Sequence, residues 1–233
     1  MIYHAPSADG NGMLKRILLA AARLFLTKGY SQSTVREIAV EAGVDVSAMI
    51  RAVKCKENIL CHLVAYVLDG MFTISKELSE RCGEDPLMYY AAETALQLHM
   101  AELSESIREL YSAAYAMPDT SEIIYRYVSA KLEPMFRTYN ADWEAKDFFE
   151  HEIASGSIMR GYLSRPCDMY FTIDRKVKVF LECSLTIYNV PKDRIAQAVV
   201  FTETVDFVSA AQNAVKSMLD FLEKEAAEIS PFD

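Results

Sequence analysis

Catalysis or metal binding requires nucleophiles, ligands or titratable groups at spacings that let them converge, and this chain offers four histidines, five cysteines and thirteen tyrosines. His4, His62, His99 and His151 are too far apart for an H-E-x-x-H zinc helix, and none has a glutamate three residues before it, which removes the helical di-iron pattern. Cys55, Cys61 and His62 are soft ligands without a visible fourth partner, so buried thiols are the better reading and no metal is expected. Glycine spacing supplies no G-x-G-x-x-G, no P-loop and no G-x-S-x-G elbow. No catalytic residue and no cofactor is therefore assigned.

What remains is recognition chemistry. The chain beyond about residue 85 is rich in side chains that join an apolar body to a polar or polarisable tip, the combination that lines a small-molecule cavity. Tyr89, His99, Met100, Tyr111, Tyr115, Tyr125, Trp143 and Phe149 are the candidate contacts for a small-molecule effector, with ordinary core packing the competing role for each. Charge is divided too. Eight basic and five acidic residues precede Asp69, giving +3, while the remainder carries −12 of the overall −9. Such asymmetry can mark an end that faces nucleic acid, and it is equally compatible with two differently solvated surfaces.

The elements that must position these groups are helical. Glycine and proline number 8 and 7, and apolar residues recur at three and four rather than at two. Met169 to Ile173 is the best candidate for an extended segment, leading into a helix near Asp174. A first helix is expected over Gly12 to Lys28, after a flexible tail of residues 1–11. Thr34 and Glu37 form a T-x-x-E capping box that opens a short helix through Ala42. Asp45 can cap a third helix to about Val53, and a fourth starts near Cys55 or Lys56. Two short helices joined by a turn containing Gly43 outline a helix-turn-helix. Breaks at Gly83–Pro86, Leu103–Glu105, Met117–Thr120, Asn140, Ser164–Asp168 and Asn189–Pro191 divide the rest into six or seven helices. The last is expected to run from Pro191 to Glu228. Its apolar stripe is broad enough to call for a second cover, best supplied by another copy of the chain through Val179, Val205, Val208, Val215, Met218 and Leu222.

Residues 14–60 resemble the N-terminal DNA-binding domain of the TetR family of bacterial transcriptional regulators. The resemblance rests on I-x-x-A-A-x-x-L-F (Ile17, Ala20, Ala21, Leu24, Phe25), the Gly29-Tyr30 corner, T-V-R-E-I-A from Thr34 to Ala39, E-A-G-V from Glu41 to Val44, and K-x-x-I-L at Lys56, Ile59 and Leu60. It implies an all-α protein: a helix-turn-helix head over residues 12–55, and a helical effector-binding and dimerisation domain over 56–233. It implies a ligand-responsive regulator, usually a repressor, that binds double-stranded DNA as a homodimer in the cytoplasm, with its third helix in the major groove and its two C-terminal helices at the dimer interface.

On that footing Arg51 could pair with guanine, Val46, Ala48 and Ile50 could touch thymine methyls, and Ser47 could meet base or phosphate. Thr34, Arg36, Lys54 and Lys56 are the phosphate candidates, with Lys56 at the family's helix-four lysine position. The chain departs from the family at Ile50, Ala52 and Val53, where Tyr, His and Phe are usual, so two common phosphate donors are missing. The alternative is thus a helical dimer that binds a small molecule or protein and whose DNA-binding head is degenerate. The chain contains no apolar run near the roughly 20 residues of a membrane span. Nor does its start carry a secretory pattern, so a cytoplasmic protein without membrane contact is expected.

Overall fold

The computed structural model describes residues 8–80, 83 and 85–227. Among the described residues all regular structure is helical, in eleven helices, as expected. His4, Cys82 and residues 1–7 of the expected tail lie outside them. Helix α1 (Ala8–Lys28) begins four residues before the expected Gly12 and buries Ile17, Ala20, Ala21 and Phe25. It stops at Gly29, whose φ of +94° only glycine adopts cheaply. Helix α2 (Val35–Glu41) opens with the capping box: Thr34 Oγ1 accepts from the Glu37 amide at 3.2 Å, while the Glu37 carboxylate accepts the Thr34 N–H at 2.9 Å. Helix α3 (Val46–Val53) is capped by the Asp45 carboxylate, which accepts from the amides of Ser47 and Ala48 at 2.9 and 3.1 Å.

Helix α4 (Lys56–Ser79) joins this head to the body. By length and composition it is apolar enough to cross a membrane, but it packs against α1 and the body helices. Those are α5 (Pro86–Glu102), α6 (Glu105–Ala116), α7 (Pro118–Phe136), α8 (Ala145–Ser164), α9 (Ile173–Ile187), α10 (Lys192–Thr202) and α11 (Phe207–Ala227). Helix α5 is the axis. Between Leu87 and Ala101 only Tyr89 and His99 keep any exposure, and α5 touches α4 and every helix from α6 to α11. A helix apolar on all sides must be covered on all sides, and this arrangement does so.

The expected single final helix is two. The apolar stripe continues across the break, which hides it, but polar side chains terminate one helix and start the next. The Thr202 and Thr204 hydroxyls donate back to the carbonyls of Val199 and Phe201, at 2.7 and 2.8 Å. The Asp206 carboxylate then accepts from the Ser209 amide at 3.0 Å, capping α11. Helix α11 consequently folds back onto α1, α4 and α5. Arg23 pairs with Glu223 at 2.8 Å, Lys15 with Glu225 at 2.7 Å, and Phe221 stacks on Tyr66 with ring centroids 5.1 Å apart. The segment Met169 to Ile173 forms no strand; Asp168 caps its turn and Thr172 caps α9.

Gly29 and Gly43 both hold positive φ, but their surroundings differ. A Cβ on Gly29 would stand 2.5 Å from Glu109 Oε2, whereas one on Gly43 would meet nothing within 4 Å. Gly43→Ala should therefore cost about 1 kcal/mol for the left-handed backbone alone. Gly29→Ala should cost more, because it also drives Glu109 off the Ser31 amide that it accepts from at 2.9 Å. Equal losses in thermal unfolding would refute that difference.

Candidate nucleic-acid interface and effector cavity

The polar surface of the head follows from which face of α3 the core consumes. Met49 and Val53 are buried, which turns Ser47, Ile50 and Arg51 outward and leaves Val46 and Ala48 half-buried. Ile50 is 47% exposed, an apolar contact without a partner in its own chain. Arg36 on α2 is exposed as well. Lys54 ends α3 with φ +61° and ψ −57°, and the Cys55 amide donates to the Val53 carbonyl across it at 2.7 Å. This is a γ-turn of the rare, strained hand. It projects a lysine from the corner at the end of α3. Among the described residues Arg36, Arg51 and Lys54 form no ion pair, whereas Lys28 is engaged by Glu37, which Lys28 and the Thr34 hydroxyl together hold down at about 2.

Two expected phosphate donors are engaged within their own chain, Thr34 at the surface and Lys56 half-buried. The Thr34 hydroxyl donates to Glu37 at 2.8 Å. Lys56 Nζ donates to the Tyr30 and Ser33 carbonyls at 2.8 and 3.1 Å and lies 4.2 Å above the Tyr30 ring centroid. Lysine has three N–H donors, so one remains for DNA. Its main work is to fasten the α1–α2 corner to the start of α4. The same corner is held to the body by Glu109, through the Ser31 amide.

A cavity of about 110 Å³ lies where head and body meet. Ala22 and Leu26 of α1 form part of its wall, together with Leu63 and Val67 of α4, Leu110 of α6 and Ile124 of α7. Of the expected effector contacts, Met100, Tyr111 and Tyr115 line it. The other five do not. Tyr89 donates to the Phe72 carbonyl at 2.9 Å, His99 stacks on Phe207 at 5.2 Å, and the Tyr125 ring covers Gly156. Trp143 lies against His151, with ring centroids 4.0 Å apart, and Phe149 sits under the Arg126 guanidinium at 5.3 Å. Their size is used to fill the body.

The expected dimer residues are redistributed in the same way. Val215, Met218 and Leu222 line the cavity, the latter two buried by their own chain, because α11 folds back. Val179 and Val205 are half-buried, and Val208 alone of the six is exposed, at 54%.

Sequence reasoning missed the polar heart of the body. Gln97 lines the cavity, accepts from the Tyr115 hydroxyl at 3.1 Å and donates to the carboxylate of Glu93, one turn earlier on α5. Glu93 is buried, and burial pushes it up to about 7, against the pull of the Gln97 amide. Glu152 on α8 is buried nearby; burial and the neighbouring Glu93 raise it to about 8 although Tyr188 donates to it at 2.8 Å. The signal was a lone glutamate and a lone glutamine four apart in a helix whose other core positions are almost entirely apolar.

Residues 17–60 match the family model described as "Bacterial regulatory proteins, tetR family". Over this segment the chain is similar to the tetR family. Its match begins at Ile17 in α1 and ends at Leu60 in α4, so it takes in the whole helix-turn-helix and the Lys56 corner. No curated protein matches the chain in sequence. Among solved structures, the chain is similar to a gamma-butyrolactone receptor (ArpA-like protein) at 18% identity over 89% of this chain and 99% of that one, with a TM-score of 0.43. It is likewise similar to the TetR family protein CprB from S. coelicolor A3(2), at 19% identity over 89% and 98%, with a TM-score of 0.40.

The buried Glu93 and Glu152 pair makes stability depend on pH. Carboxylates titrate near about 4.3 in an unfolded chain, and here fold with values near 7 and 8, so the folded state holds the extra protons between those limits. Their contribution is full below that window and is lost as pH rises through it. Between pH 7 and 8.5, above the histidine range, stability should fall by about 1 kcal/mol per pH unit on their account. Thermal unfolding across that interval should show the decline in the wild type and a flatter profile in the Glu93→Gln, Glu152→Gln double variant; parallel profiles would rule out this origin.

Proposed function

We propose that the protein is a homodimeric, ligand-responsive transcription regulator acting as a repressor, with residues 12–55 as the reading head and 56–233 as the effector and dimerisation domain. The observation that carries this reading is the cavity's shared wall. Ala22 and Leu26 belong to the head, and Tyr111, Tyr115 and Met218 to the body, so an occupant touches both. Such an occupant shifts DNA affinity by whatever difference it makes between the two arrangements of head on body. The direct contacts with double-stranded DNA are assigned to Arg51, Ser47 and Ile50 at base edges, and to Arg36 and Lys54 at phosphates, with the third Lys56 N–H in support. No catalytic step is assigned to the chain.

A specific observation favours the second reading. Thr34 and Lys56 both spend hydrogen bonds on their own chain, and Ile50 and Ala52 offer no donors, so phosphate anchoring rests on few groups. A degenerate head on a ligand-binding dimer is what that reading describes.

Fluorescence anisotropy against duplexes tiled across the gene's own upstream region, at two salt concentrations and with a scrambled competitor, separates the two. A regulator binds one tile in preference to the competitor and loses affinity as salt rises. Arg51→Ala should then weaken that tile by about 1–3 kcal/mol and relax its specificity. Lys54→Gly should weaken all sequences alike while raising the unfolding temperature, because glycine relieves the strained corner. Absence of any preferred tile, after removal of bound small molecules, would establish the degenerate head.

A further inference from the structure

The body core contains two fully buried carboxylates and no cation to match them. Glu93 and Glu152 come from different helices, and among the described residues no lysine, arginine or histidine acts on either one. The groups that face them are the Gln97 amide, tyrosine hydroxyls and each other: Tyr89 and Tyr90 from α5, Tyr111 and Tyr115 from α6, and Tyr188 at the end of α9. Burying a carboxylate without a counter-charge is costly, and burying two side by side more so. The chamber is also incompletely satisfied in its neutral groups. Ser184 Oγ is buried without a well-formed hydrogen bond and faces the Tyr90 hydroxyl, which stands 3.5 Å from Ser155 Oγ. Buried polar atoms are ordinarily satisfied, so this is a polar chamber short of a partner.

Gln97 connects that chamber to the cavity. Its side chain forms part of the cavity wall and also donates to Glu93, so a turn of one side chain exposes the carboxylate to whatever occupies the apolar space. We infer that the inner end of the cavity is an ammonium site. Its ligand is a small lipophilic amine, with the apolar body against Leu63, Leu110 and Met218, and the protonated nitrogen directed past Gln97 to Glu93, with Glu152 behind. Tyrosine rings on either side suit a cation, since their faces are electron-rich. The cavity is comparable to engineered cavities that admit benzene, which sets the body at about six carbons. Binding transfers no atoms beyond protons: the amine arrives protonated, and a carboxyl group that was neutral in the empty chamber releases its proton to water.

This inference deepens the effector reading and rests on it for its regulatory consequence, though not for binding itself. The test is calorimetric titration of the full-length protein at pH 7 with n-hexylamine, n-hexanol and hexanoate. Hexylamine should bind at least tenfold tighter than hexanol, and hexanoate weakest. Glu93→Gln should reduce hexylamine to the affinity of hexanol while leaving hexanol unchanged, and the surface variant Glu57→Gln should alter neither. Glu93→Gln removes a buried charge in the same shape, and its unfolding temperature confirms that it is folded. A wild-type measurement stands independently of any variant. Titrations in buffers of different ionisation enthalpy should show proton release with hexylamine and none with hexanol. Equal affinities for amine and alcohol, an amine affinity indifferent to Glu93→Gln, or absence of proton release would overturn the ammonium site. Operator affinity measured with and without hexylamine judges the regulatory reading separately: an amine that binds as described but leaves DNA affinity untouched retains the site and rejects its role as an effector switch.

Discussion

Helix α5 imposes the constraint on which the body is organised. From Leu87 to Ala101 it offers almost no side that tolerates water, so α4 and α6 to α11 must all be brought against it, and the chain between them is arranged to allow that. The loops are tied accordingly. The Asn140 amide donates to the Tyr188 carbonyl at 2.8 Å and accepts from Asn189 at 2.7 Å, which pins the α7–α8 turn to the α9–α10 turn. Lys176, fully buried on α9, reaches Glu102 at the end of α5 and closes the segment after α8. Where the covering helices diverge beside the head, between α1, α4, α6 and α11, they leave the cavity.

Polar fastenings add to the apolar packing of α1 on α4, α6 and α11. Lys56 holds the α1–α2 corner to α4, Glu109 holds the same corner to α6, and the two ion pairs of α11 hold the outer side of α1. Apolar contact continues between them through the cavity wall. Because α6 presents Tyr111 and Tyr115 inward and Glu109 toward Ser31, a displacement of that helix is felt at the corner that precedes the Thr34 cap. Polar fastenings with defined geometry and an apolar joint between them allow a head to pivot without unfolding.

The head was legible from sequence because its signals are local. The T-x-x-E box, the Asp45 cap and the glycines at 29 and 43 each act within four residues of themselves, and all appear where the pattern places them. The inward turn of Lys56 was not legible, because it depends on carbonyls at Tyr30 and Ser33, more than twenty positions away. The cavity was half legible. Met100, Tyr111 and Tyr115 were found by type, but nothing in their spacing separates them from Tyr125 or Trp143, which lie against the distant Gly156 and Tyr188. The final helix misled for a related reason: period alone cannot distinguish a face that meets a partner from one that folds back, and the turn at Thr204–Asp206 that decides the matter is made of polar residues inside an apolar stripe.

The fold-back of α11 gives the chain an order of assembly. The helix-turn-helix can form from local contacts as soon as α4 begins, but Ala22 and Leu26 of α1 have their cover in α11, nearly two hundred residues later. Domains emerge from the ribosome N-terminus first, so a nascent head exists for much of synthesis with an apolar flank open to solvent. Arg23 and Lys15, flanking that strip, keep it charged at its edges until Glu223 and Glu225 arrive. The same two cations that border the open strip on the nascent head close onto α11 in the finished molecule.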